Sequence, residues 1–408
     1  MAQRAYDRVV HITQITHGPT HHFFGYIGHC RTIPWSGDGR YVLCLETGFQ
    51  DRMPTEVDEA GILLLDAQRG FAAERVTATR AWNPQQGSML YWDPQAPAER
   101  FFGNDLDPAS GAAFTFLYDI RQRRRVREYR SAGIAVANGG VAQNGGAFLA
   151  INYGRLARLR PVTGYPAARD PTAGRGAPDD DGIFLVDTAS GNQRLVCSYE
   201  RIRQALVAAG RIAADAGVQL FINHTLWNRA DDLVVFFARS GAAWRAGGGA
   251  FVNETCTMRP DGSALTCHGY VGGHPEWDTQ GRIFAATADG VALYDPLARA
   301  MVGTVAGRDV LADPKGDKAL SPDGAWLVHG DEVVEGAAHG HRYVFLRLAD
   351  GWHAASPTLP RGPWIDGDLR LDPAPCWNRD SDRVLVPAIA VDGTRQLFTI
   401  ARPRPEPA

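Results

Sequence analysis

Residues 272–283 read GGHPEWDTQGRI and residues 223–236 read NHTLWNRADDLVVF. In both, a histidine stands three positions before a tryptophan, and the tryptophan opens a turn of Asp, Asn, Gly or Gln that leads into an apolar run. A tight polar turn between two apolar runs marks antiparallel strands joined by a hairpin. The same frame returns as IPWSGDGRYVLCLET (33–47), LYWDPQAPAERFFGND (90–105), GGVAQNGGAFLAINY (139–153), KALSPDGAWLVHGDE (318–332) and APCWNRDSDRVLVPA (374–388). With the two opening stretches, that makes seven copies.

After each copy a second apolar run closes on a polar corner such as LLLDAQRG (63–70), FLVDTASG (184–191), VALYDPLA (291–298) or FLRLADG (345–351). A small sheet cannot bury both of its faces alone, so a unit of this kind repeated along a chain predicts the blades of a propeller. The expected fold class is all-β, a seven-bladed β-propeller. RVVHITQIT at 8–16 then reads as an outer strand completing the last blade and closing the ring, and residues 1–408 are expected to form a single domain. Glycine at 45 and proline at 25 agree with this, and only ERIRQALVAAGRIAADAG (200–217) reads as a long helical stretch.

Composition narrows the function. A net charge of -3 and a pI near 6.5 give no basic footprint for nucleic acid, and RQRRRVR at 121–127 reads as a solvated turn. The first residues carry no apolar signal core, and nowhere does an apolar run reach the ~18 residues of a membrane span. A cytoplasmic location with no membrane partner is therefore the expectation. Six scattered cysteines are expected to be reduced, and Cys256, Cys267 and His268 lack the paired CxxC spacing of a zinc site. No GxSxG elbow, P-loop or dinucleotide fingerprint is present. The oligomeric state is left open by the sequence.

In register, the position three residues before the anchor is Thr32, Met89, Gly139, His224, His274, Asp317 and Ala374. On the innermost strands these side chains are expected to face one central cavity, which would gather His224, His274 and Asp317 from consecutive blades. Asp372, two residues before Ala374, adds a carboxylate. Mixed N and O donors suit a divalent ion such as Mn or Zn, so His274, Asp317 and Asp372 are the candidate metal ligands. His339 and His341 in AAHGHRY rank behind them and are expected in a turn.

The frames NHTLWN and GHPEW resemble those of the seven-bladed propeller lyases that cleave uronate-containing sugars, the oligogalacturonate lyases and the related ulvan lyases. The likeness extends through HHFFGYIGHCRTIPWSGDGRYVLCLE, WNPQQGSMLYW, NYGRLARLRPVTGY and DDDGIFLVDTASG. The resemblance implies β-elimination: a base removes the proton next to the uronate carboxylate, a cation neutralises that carboxylate, and the glycosidic oxygen leaves. It implies His224 as base and His274 as metal ligand. The family's HPHP element matches Asp372-Pro373-Ala374-Pro375 here, without its histidines, and the ulvan lyase histidines are replaced by Gln86 and Asp105. Tyr153 resembles their catalytic tyrosine.

The residues support the same roles by their own chemistry. Removing a proton alpha to a carboxylate needs a base near working pH and a positive charge to stabilise the developing enediolate. His224 is the candidate base, Tyr153 a proton donor to the leaving oxygen, and Arg239 or Arg160 a bidentate partner for the carboxylate if no metal serves. The expected partner is a short uronate-bearing oligosaccharide. The rival expectation is a non-catalytic propeller that binds a glycan or a protein.

Overall fold

The computed structural model describes residues 10–24, 32–241, 249–336 and 338–404. Its sheets follow from two turn designs. In WNRADD and WNRDSD an asparagine carboxamide closes the hairpin: Asn228 Oδ1 accepts from the amides of Asp232 and Leu233, while Asn378 Oδ1 accepts from those of Asp382 and Arg383. In WSGDGRY and LSPDGAW a serine hydroxyl donates to the aspartate two residues on (Ser36 to Asp38, Ser321 to Asp323) and accepts the amide of Tyr41 or Trp326. Both are side-chain substitutes for backbone turn bonds, which is why Asx and Ser recur at these places.

Seven antiparallel sheets result, the blades of a seven-bladed β-propeller. Blade 1 orders the strands His21–Phe23, Tyr41–Thr47, Ala60–Asp66 and Ala72–Thr79. Blades 2, 3 and 4 follow from Tyr91 to Tyr129, Ala137 to Ser198 and Phe221 to Cys267, each with four strands. Blade 5 has three, Ile283–Ala286, Gly290–Asp295 and Ala300–Gly307. Blade 6 runs from Lys318 to Pro360, and its strands Trp326–Glu335 and Ala338–Arg347 form a long hairpin. Blade 7 joins Cys376–Trp377, Arg383–Ile389 and Arg395–Ala401 to the strand Ile12–Gln14.

By its contacts the chain divides into two compact units. The first comprises Met1–Asp51, Leu63–Glu74 and Gly272–Ala408. In it the expected N-terminal strand pairs antiparallel with the C-terminal one, Ile12 opposite Ile400 and Gln14 opposite Phe398. Apolar residues fill the spaces between its blades: Phe284, Val291, Leu327 and Val344 between blades 5 and 6, then Val328, Tyr343, Phe345, Trp377 and Val386 between blades 6 and 7. The anchor Trp377 also donates its indole N–H to the carbonyl of Ala319 at 2.9 Å.

The second unit comprises Arg52–Ile62 and Arg75–Val271. Trp227 repeats the anchor bond, donating its indole N–H to the carbonyl of Gly140 at 2.8 Å. Glycine is needed there, because a Cβ on Gly140 would lie 2.1 Å from the carbonyl oxygen of Thr225. Gly140→Ala is expected to lower stability by about 1–3 kcal/mol through forced separation of these strands. A shift in the urea midpoint checks this, and an unchanged midpoint would show that the two strands part freely.

Among the described residues two α-helices depart from the strand pattern, both in the second unit. Helix α1, Tyr153–Leu159, begins where the Asn152 side chain accepts the amide of Arg155. Tyr153 ends the apolar run 147–153 and would continue its strand by pattern, but the Asn152 N-cap turns the chain into a helix there. Arg155 is fully buried and its guanidinium donates to the carbonyls of Leu220, Arg175 and Gly176. Helix α2, Tyr199–Ala208, is capped by Ser198 and occupies the first half of the expected 200–217 helix; the chain leaves it at Ala209–Gly210, where Gly210 takes a left-handed φ of 67°.

Candidate active site

The predicted site residues divide between the two units. In the first, His274 stands ahead of Trp277, and Asp317 immediately precedes the inner strand Lys318–Leu320 of blade 6. The structure brings these two together: Asp317 Oδ1 lies against Nδ1 of His274. Asp317 Oδ2 accepts the amide of Ala374 at 3.0 Å. The Asp317 side chain is sealed at 1% exposure, whereas that of His274 keeps 31%, so the imidazole is held on one side and open on the other.

Asp372 approaches from the entry to blade 7, where Arg370 holds it through Nε at 2.9 Å. Burial raises its pKa, the Arg370 charge opposes the rise, and the neighbouring charge of Asp317 adds to it. The three predicted metal ligands are therefore neighbours without being a chelate. Asp317 spends one oxygen on His274 and the other on a backbone amide, and Asp372 is taken up by an arginine. Among the described residues no group of three or more His, Cys, Asp or Glu side chains is arranged to hold a metal ion. Alanine at 374 leaves this position without an imidazole donor. The residues present do not fit the expected divalent ion.

A cation stands here that the sequence reading missed. Lys318 is fully buried, and its Nζ donates to the carbonyls of Gly316 at 3.0 Å and His274 at 3.4 Å, with no carboxylate within ion-pair distance among the described residues. Burial lowers its pKa to about 8, against the opposing charges of Asp317, Asp313 and Glu276. The available signal was compositional: the chain has only two lysines, Lys315 and Lys318, among 42 basic residues. Because the folded pKa lies below the unfolded one, the unfolded state holds the extra proton between them, and Lys318 makes stability rise from about pH 8 toward pH 10. Relative to Lys318→Met, the parent urea midpoint is expected to climb over that range; parallel midpoints would show that the ammonium is not desolvated.

Around this centre lie further buried groups of the same unit. His329 is fully buried with Nδ1 3.1 Å from Asp331. His339 and His341 lie not in a turn but in the strand Ala338–Arg347, opposite Val334 and Glu332, because the hairpin runs on past the blade. His341 is buried at 1% exposure, and burial followed by the charges of Arg361 and Arg395 lowers its pKa to about 3.

In the second unit, His224 lies on the inner strand Phe221–Trp227, edge-on to Phe237 with ring centroids 5.7 Å apart. Its backbone takes φ 61°, and Met89 and Ala374, two more of the seven register positions, take φ 54° and 37°. Left-handed backbone at a non-glycine residue is uncommon and strained. Its recurrence at this position, with a strand irregularity between Asn223 and Leu226, gives the shared register a physical basis. Arg239 is buried beside it, with Nε on Asn253 at 2.9 Å and Nη1 on Asn223 at 3.0 Å.

Tyr153 is buried, stacked on Tyr165 at 4.1 Å, and its hydroxyl donates to the carbonyl of Asn138 at 3.0 Å. Arg160 closes helix α1, its amide donating to the carbonyl of Leu156. Gln86 and Asp105 are likewise engaged in structure: the amide of Gln86 is capped by Asn83, and Asp105 pairs with Arg125 at 2.6 Å. Cys256 and Cys267 face each other at 3.9 Å while His268 bonds Thr257, so these three make no zinc cluster.

No protein-family model matches the chain, and no curated protein matches it by sequence. Solved structures do. An oligogalacturonate lyase in complex with manganese superposes with a TM-score of 0.59 at 12% identity, over 96% of this chain and 93% of that one. A prolyl endopeptidase follows at TM-score 0.48 and 10% identity, over 95% of this chain and 47% of the other. TolB from Acinetobacter baumannii gives 0.37 at 10% identity, over 88% and 79%. At 12% identity the likeness to the first of these establishes the propeller fold alone. Among the described residues no helix is long and apolar enough to cross a membrane.

Proposed function

We propose that the protein is a lyase-like enzyme that cleaves a short uronate-bearing oligosaccharide by β-elimination, with His274 rather than His224 as the proton-abstracting base. The observation that carries this reading is the Asp317–His274 pair: a sealed carboxylate against Nδ1 and an imidazole edge left open to a ligand. A carboxylate in that position orients the ring and stabilises the imidazolium formed when Nε2 takes a proton. Lys318, buried against the backbone carbonyl of His274, supplies positive potential where the enediolate develops. The C–H electrons pass into the new C=C bond, the C–O bond to the leaving sugar breaks, and water protonates the departing oxygen. The hydroxyl of Tyr153 is already donated to a carbonyl and is given no part.

His224 is the second reading, favoured by its strained φ of 61°. Incubation with a panel of uronate oligomers tests the proposal, since elimination creates a double bond conjugated with the carboxylate and a new ultraviolet absorbance. A panel that gives no unsaturated product abandons the lyase for a propeller that binds a glycan or a protein without turnover.

A further inference from the structure

Arg395 opens the third strand of blade 7, Arg395–Ala401, and is buried to 6% exposure. A guanidinium taken out of water is normally paired with a carboxylate or saturated with carbonyls. Other cations of the first unit obey that rule: buried Arg361 bonds Glu332 and the carbonyls of Trp364 and Ile365, half-buried Arg370 bonds Asp372, and buried Lys318 bonds two carbonyls. Arg395 does not. Its backbone amide meets His21 and its guanidinium lies over the Phe23 ring at 4.3 Å, but among the described residues its side chain has no hydrogen-bond acceptor and no ion-pair partner. Nε is sealed from solvent without a partner, whereas neither Nη atom is sealed.

A second buried group is in the same condition. Nε2 of His341 is sealed and unbonded in a side chain buried at 1% exposure. The charge of Arg395 bears on His341, and that of Asp372 on Arg395, which places both groups in the charge cluster that contains Asp317 and His274. Burial lowers the Arg395 pKa to about 9, the mark of a cation that lacks a counter-ion of its own.

We propose that Arg395 forms a carboxylate-binding socket, in which its Nη atoms take the two oxygens of a ligand carboxylate, so that a built-in guanidinium does the work expected of a divalent ion. A planar fork over an aromatic ring is the arrangement that selects a carboxylate over a neutral sugar. The socket deepens the lyase reading, because it rests on a ligand that carries a carboxylate, and it makes Arg395 a specificity determinant for the uronate unit.

Thermal unfolding of the parent, Arg395→Met and Arg395→Lys, each with trigalacturonate, neutral galactotriose or inorganic phosphate, tests it. The parent midpoint is expected to rise with trigalacturonate and not with galactotriose. Arg395→Met is expected to melt above the ligand-free parent, since it removes an unpaired buried charge, and to show no rise. Arg395→Lys keeps the charge without the fork and is expected to bind at least about tenfold more weakly. The socket is overturned if Arg395→Met keeps the rise, if galactotriose or phosphate matches trigalacturonate, or if the parent responds to none of them. The two proposals fail separately. A uronate-dependent rise without unsaturated product keeps the socket and removes the lyase, whereas undiminished product from Arg395→Met keeps the lyase and removes the socket.

Discussion

Replacing His274 by alanine is expected to lower turnover of a uronate oligomer by about 10²-fold or more while leaving the unfolding midpoint close to that of the parent. The loss is predicted to fall on kcat, because the imidazole acts on a proton and contributes little to holding the sugar. Its side chain keeps 31% exposure, so truncation opens no sealed cavity. Asp317→Asn should separate orientation from charge. The amide can still contact Nδ1 but cannot stabilise an imidazolium, so the activity should fall and its pH profile should move. His224→Ala, by contrast, is expected to leave most of the activity if His274 is the base. Should His224→Ala be the inactive variant and His274→Ala the active one, the base would be His224 and the strained backbone its signature.

The largest stability effect is expected at Arg155. Its guanidinium is fully buried, donates to four backbone carbonyls, reaches Thr172 Oγ1 at 3.2 Å and lies over the Tyr199 ring at 4.5 Å. Arg155→Met fills much of the volume but strands those carbonyls, and each buried acceptor left unmet costs about 1–3 kcal/mol. A total loss of about 3–5 kcal/mol is expected, read as a fall in the urea midpoint at unchanged slope. A loss below about 1 kcal/mol would mean that water replaces the guanidinium.

Arg155 also shows where sequence reading stops. The blades were legible because their information is local: Asn228 and Asn378 make the same bonds to the same offsets, and so do Ser36 and Ser321. The N-terminal strand was legible from apolar pattern combined with the need to complete a blade. Helix α1 was not, since seven residues buried on nearly every side show no amphipathic period, and only the Asn152 cap marks its start. The contact of His274 with Asp317 was legible by register, because the position ahead of the anchor repeats with the blade, although these two residues lie just outside the inner strands where they were expected. Lys318 and Arg395 were missed because a basic residue next to an apolar strand reads as solvated, and only tertiary packing shows that it is enclosed. The occupation of the candidate ligand oxygens was hidden for a related reason: residue types announce a possible ligand set, while the partners that take those oxygens, Ala374 N and Arg370, appear only in the fold.

The pairing of Ile12–Gln14 with Phe398–Ile400 has a consequence for synthesis. The ribosome reaches Phe398 384 residues after Gln14, so at ~5–20 residues per second the early strand waits about 20–80 s with its edge unmatched. Throughout that interval a nascent chain carries six sheets that can form and a seventh that cannot, and the waiting edge is open to the same segment on a neighbouring polysome. Production of this protein should therefore be governed by how densely ribosomes load its message and by what shields Ile12–Gln14 until its partner emerges.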